Sequence, residues 1–175
     1  ESKPLAEYPV LKVRQDRSRS PRTGAEHDFV VLEMPEWINI IALTETDEVL
    51  LIRQYRHATR QMSLEIPGGM VEEGEDLALA AARELEEETG YAAKKVIALG
   101  QVAPNPALQD NQCHSFLALG CAPVDAGQQL DPGEDIEVLR VPLADVPGMI
   151  VGGQICHGLV VAAFYLYEQY RREGD

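Results

Sequence analysis

Cysteine is scarce and odd in number. Only Cys113, Cys121 and Cys156 occur in 175 residues, and no two of them form a CxxC pair. That usage supports neither a disulfide framework nor a structural zinc site. It is the usage expected of reduced thiols in a cytoplasmic protein. Cys113-His114 and Cys156-His157 are adjacent pairs without ligand spacing and read as packing residues. Positive charge is also in short supply: Lys+Arg number 15 against Asp+Glu 29, for a net charge of -14. A field of that sign disfavours nonspecific binding to nucleic acid or to an anionic membrane. An anionic ligand would need local arginines or bound cations to offset it. No stretch approaches the ~20 apolar residues of a membrane span, and the first residues, ESKPLAEYPV, lack the apolar core of a signal peptide. Internal repeats and low-complexity tails are missing as well.

What is present fits one globular unit with a sizeable core, 45% hydrophobic and 25% charged. Residues 8–34 read as a hairpin of two extended segments, YPVLKVRQDRS and HDFVVLEM, around the turn SRSPRTG. Its apolar content is low, so it needs a partner surface. WINIIALT and VLLIRQYR are mostly apolar runs that fit buried strands joined as a hairpin. MSLEIPGG reads as a shorter strand ended by Pro67-Gly68-Gly69. Residues 76–89 are expected to be a helix, N-capped by Asp76 and stopped by Gly90. KVIALGQVA, CHSFLALGC and DIEVLRVP follow as strands. A short helix is expected over 143–147, and an amphipathic one across ICHGLVVAAFYLYEQYRR. Together these make a mixed sheet with two main helices.

The helix carries RELEEETG, residues 83–90. Adjacent like charges repel by a few tenths of a kcal/mol per helical pair. At about 100° per residue, Glu84, Glu87 and Glu88 share one face, while Glu86 falls nearly opposite Glu84 and should be solvated. Ala78, Ala82, Leu85 and Thr89 are placed to face the core. Two readings stand for the triad: a solvated acidic face, or a hard-cation site whose ions relieve the repulsion.

The flanking residues extend the pattern. Gly69, Glu75, Arg83-Glu84-Leu85, Glu87-Glu88 and Gly90 fill every fixed position of GX5EX7REUXEEXGU. The segment therefore resembles the Nudix box, with Tyr91 standing where an aliphatic residue is preferred. The resemblance implies an α/β fold, the Nudix α/β/α sandwich with a mixed sheet. In this chain a Nudix hydrolase domain would occupy 37–175. An N-terminal β-hairpin subdomain would occupy 1–36, serving dimerisation and enclosure of the base. It implies hydrolysis of a nucleoside diphosphate linked to another group, with two or three Mg²⁺ or Mn²⁺ ions. Glu84, Glu87, Glu88 and the Gly68 carbonyl would bind metal. Arg83 would hold a carboxylate in place, and Glu75 would support the loop–helix geometry.

RQYRHAT…LEIPGG resembles the segment before the box in ADP-ribose pyrophosphatases and related nucleotide-sugar hydrolases. By that resemblance Arg56 meets the phosphates, Arg53 assists, and Glu65 lies near metals and substrate. Pro106, 15 residues beyond Tyr91, fits the subgroup, but Asn105-Pro106-Ala107 stands where Ser-Pro-Gly is common. ADP-ribose, cleaved to AMP and ribose 5-phosphate, is the expected substrate, with GDP-mannose or a broad nucleotide-sugar specificity as the alternative. A non-catalytic nucleotide-sugar-binding module is the alternative of another class. The N-terminal segment implies a homodimer, with Phe29 stacking on the base. In LDPGEDIEV, Glu134 aligns with the general base of the resembling enzymes, ahead of Asp135 and Glu137.

Overall fold

The computed structural model describes residues 1–174. It opens with three antiparallel strands, β1 (Ser2–Tyr8), β2 (Leu11–Arg19) and β3 (Glu26–Glu33), ordered β1-β2-β3. The expected hairpin is β2–β3, in unbroken register from Lys12↔Glu33 to Arg19↔Glu26. The extra strand β1 was not anticipated. Pro4 weakens its signal, yet proline is tolerated at a sheet edge, where its missing N–H faces no partner, and the register shifts between Pro4 and Ala6. Cross-strand pairs such as Arg17–Asp28 and Arg19–Glu26, each at 2.8 Å, hold a ribbon with little apolar surface to bury.

The body is a mixed sheet built from β4 (Trp37–Thr44), β5 (Glu48–Arg56), β6 (Gln61–Glu65), β7 (Tyr91–Ala92), β8 (Lys95–Val102), β9 (Cys113–Pro123) and β10 (Ile136–Pro142). Its main order is β10-β5-β4-β9-β7, with β6 on β5 and β8 on β9. β4 and β9 are parallel, and the other pairs are antiparallel. Helix α1 (Leu77–Thr89) covers one face and α3 (Gly158–Gly174) the other. A 3₁₀ turn at Leu143–Asp145 runs into the short α2 (Val146–Val151).

β4 is apolar throughout because both its faces are covered. Ile38, Ile40 and Ala42 pack with Leu50, Ala80, Ala81, Leu85, Phe116 and Ala118 beneath α1. Ile41 and Leu43 pack with Val49, Leu51, Leu117, Val160, Ala163 and Phe164 beneath α3. Each of the larger side chains among them, Val, Leu, Ile and Phe, contributes about 1.5–3 kcal/mol on burial. The core side of α1 holds Leu85 and Thr89 as expected, with Ala78 packed at its edge, and also buries Ala80 and Ala81, while Ala82 is only partly buried. Glu88 is on the buried side too, so the helix is rotated toward the loop that precedes it.

Asp76 caps α1, its Oδ1 accepting from the amides of Ala78 and Leu79. Such a cap contributes about 1 kcal/mol. Cys113 and Cys121 are buried, which pushes both thiols up to about 11, whereas Cys156 is exposed and not the packing residue expected. Among the described residues no helix is long and apolar enough to cross a membrane.

Candidate active site

Half of β5's edge is taken by β4 and half by β6, so those two strands diverge. The segment Pro67-Gly68-Gly69 fills the gap. Ile40 N donates to Pro67 O and Ile38 N to Gly69 O, both at 2.9 Å. Residues 67 and 69 thus face β4, and Gly68 between them faces away. Its N–H donates to Glu88 Oε2 at 2.8 Å. Side chains are excluded here. A Cβ on Gly68 would collide with the Ile38 carbonyl oxygen, and one on Gly69 would lie 2.5 Å from the Glu84 carboxyl carbon.

Arg83 ties the box together. Nε and Nη2 donate to the two oxygens of Glu75, and Nη1 to Glu84 and Glu87, all at 2.9 Å. Pairing with Arg83 holds Glu75 below the usual carboxylate range. Burial raises Glu84 above that range despite Arg83, with Glu87 and Glu134 adding to the rise. Glu88 is only 4% exposed, and burial pushes it to about 8. The Gly68 N–H and Arg56 oppose that shift, while the charges of Glu84 and Glu134 reinforce it.

The charges of Glu84 and Glu134 thus act on Glu88, that of Glu134 on Glu84, and Arg56 on Glu88 and Glu134. Arg56 is anchored on Glu65, with Nε to Oε1 at 2.8 Å and Nη2 to Oε2 at 2.7 Å. Burial raises Glu65, but Arg56 outweighs it and holds the carboxylate low. Among the described residues Nη1 of Arg56 has no hydrogen-bond partner. Glu134 is exposed in a turn closed by two bonds: its Oε2 accepts from Asp131 N at 2.9 Å, and its own N–H donates to Asp131 O at 3.0 Å.

Arg53 is not brought to this cluster. It stands opposite Glu137 in the β5–β10 register and donates to it from Nε at 2.8 Å. Arg53 and Arg56 are an odd number of residues apart, so a regular strand sends them to opposite faces. Arg56 shares the α1 face with Ile52, and Arg53 the α3 face with Leu51. Phe29 lies on the outer half of β3, 53% exposed, with its ring 6.3 Å from that of His27.

The donors are hard oxygens with too few positive partners: three carboxylates, Glu75, Glu84 and Glu87, converge on Arg83, and among the described residues Glu88 is buried without an ion pair. That chemistry fits Mg²⁺ or Mn²⁺. Among the described residues, however, no three His, Cys, Asp or Glu side chains stand close enough to cage an ion. Glu84 and Glu87 turn to Arg83, and Glu88 to Gly68.

Sequence reasoning missed Gln128, whose side-chain amide donates to Glu88 O at 2.7 Å and Ile136 O at 3.1 Å. It also missed Arg14 and Asp110, which join at 3.1 Å and tie the N-terminal sheet to the loop before β9. Neither has a spacing signal, because both depend on contacts between distant segments.

A family profile for the NUDIX domain matches residues 35–157. An ADP-ribose pyrophosphatase from Bacillus subtilis is 31% identical over 71% of this chain and 68% of its own. A methanol dehydrogenase activator from Bacillus methanolicus is 30% identical over 91% of this chain and 86% of its own. A crystal structure of an ADP compounds hydrolase superposes with a TM-score of 0.87, covering 99% of this chain and 93% of that one at 21% identity, a likeness of fold. The chain belongs to the Nudix family, as a pyrophosphohydrolase of the subgroup that includes the ADP-ribose pyrophosphatases.

Proposed function

We propose that this enzyme hydrolyses the pyrophosphate bond of a nucleoside diphosphate sugar with Mg²⁺ or Mn²⁺, and that ADP-ribose is the substrate, giving AMP and ribose 5-phosphate. The observation that carries the reading is the carboxylate side of α1, where Arg83 binds Glu75, Glu84 and Glu87 and the Gly68 N–H binds the buried Glu88. The ADP-ribose pyrophosphatases among its relatives support it.

Glu84, Glu87, Glu88 and the Gly68 carbonyl would hold the cation, which would supply positive charge against the pyrophosphate oxygens. Arg83 keeps Glu84 and Glu87 on one side of the helix. Arg56, oriented by Glu65, presents its remaining N–H groups to a phosphate. Glu134 leaves its turn to take the proton of the attacking water as a P–O bond forms and the bridging P–O bond breaks. Residues 1–36 form a separate subdomain that pairs two protomers, with Phe29 available to stack on a base. Its exposed Leu5, Tyr8, Val10, Phe29 and Val30 support that role.

A panel of ADP-ribose, GDP-mannose, UDP-glucose, a dinucleoside polyphosphate and 8-oxo-dGTP, each with Mg²⁺, tests the proposal. ADP-ribose should lead in kcat/KM by roughly tenfold or more. A lead for GDP-mannose would move the sugar assignment, and a lead for 8-oxo-dGTP would overturn the substrate class.

A further inference from the structure

The last turn of α1 ends against the loop between β9 and β10. Two of its final carbonyls, which no helix can satisfy internally, are taken by that loop. Gln129 N–H donates to Glu87 O at 2.8 Å, and the Gln128 side-chain amide to Glu88 O at 2.7 Å. Val124 N–H donates to Gly90 O at 2.8 Å. The same Gln128 amide nitrogen donates to Ile136 O at 3.1 Å, where β10 begins. One side chain therefore joins the turn bearing Glu87 and Glu88 to the far end of the segment that carries Glu134.

Gly90 leaves room for this contact. It sits at φ 72°, and a Cβ there would lie 2.8 Å from the Gly127 carbonyl carbon and 3.0 Å from Gln128 N. Residues 130–135 are thus held at both feet, by Gln129 on the helix and by Gln128 at Ile136. Between the feet, among the described residues, the Asp131–Glu134 turn is closed only on itself.

We propose that Gln128 is a positioning residue: it fixes the base of the Glu134 loop against the last turn of α1, so that Glu134 approaches the reacting water from a set distance and direction. The inference rests on the reading of Glu134 as general base. Misplacing a base lowers the rate of chemistry without weakening substrate or metal binding.

The test is Gln128→Met, which keeps length and removes both donors, made alone and in a Glu134→Gln background. With ADP-ribose and Mg²⁺, Gln128→Met should lower kcat roughly three- to tenfold, with KM and the Mg²⁺ half-saturation point unchanged. In the Glu134→Gln background it should cost nothing further. In EDTA-treated protein, amide exchange at Asp131 and Glu134 should accelerate in Gln128→Met while that of α1 stays the same. If Glu134→Gln lowers kcat but Gln128→Met does not, the positioning role alone falls. The same conclusion follows if loop exchange is unchanged, or if the two losses multiply. If Glu134→Gln leaves kcat intact, the base assignment falls and takes this inference with it.

Discussion

Burial strips water from the Glu88 carboxylate and the Gly68 N–H replaces only part of it, which accounts for a pKa near 8. The consequence for stability has a definite sign. A folded-state pKa raised from 4.5 to about 8 favours the fold most below the unfolded value, and that contribution is lost as pH rises through the folded one. In EDTA, wild type should therefore lose thermal stability from pH 4 to pH 9 relative to Glu88→Gln, the two lying closest at pH 4. Thermal melts across that range check it, and parallel curves would show that Glu88 is not buried as described. With Mg²⁺ the ranking should reverse at pH 8, because only the carboxylate gains a cation. Glu86→Gln, which alters no carboxylate of the cluster, should change kcat less than about twofold in the same steady-state assay.

At the level of elements, α1 was legible in the sequence because its signals are local. Asp76, the alanine-rich body and Gly90 mark its ends, and the box fixes which glutamates share a face. Its rotation was not legible, since Gly68 and the gap between β4 and β6 set it. The two arginines of RQYR look equivalent in a motif, and only strand alternation, anchored by the Glu137↔Arg53 register, separates them. Arg56→Ala should accordingly raise KM for ADP-ribose roughly tenfold or more, whereas Arg53→Ala should leave it within about threefold. Equal losses would place both side chains on the phosphates. β1 escaped notice because an edge strand with a proline has no apolar alternation to read.

For the whole molecule, the N-terminal sheet exposes Tyr8, Phe29 and Val30, each about half accessible, on a ribbon tied to the body near Leu32 and Asp110. Three strands without a covering layer are marginal alone, so a second protomer is the expected cover. Light scattering at micromolar concentration should give a dimer, and deletion of residues 1–34 a monomer or insoluble protein with weakened substrate binding. A full-length monomer would remove the N-terminal sheet from the site. The central claim is tested most directly by following AMP released from ADP-ribose by wild type and Glu88→Gln, with Mg²⁺ and with EDTA. Wild type with Mg²⁺ should yield AMP and ribose 5-phosphate in equal amounts, with activity lost in EDTA and lowered roughly 100- to 1000-fold in Glu88→Gln. Binding of ADP-ribose without turnover, or turnover indifferent to both EDTA and Glu88→Gln, would contradict it.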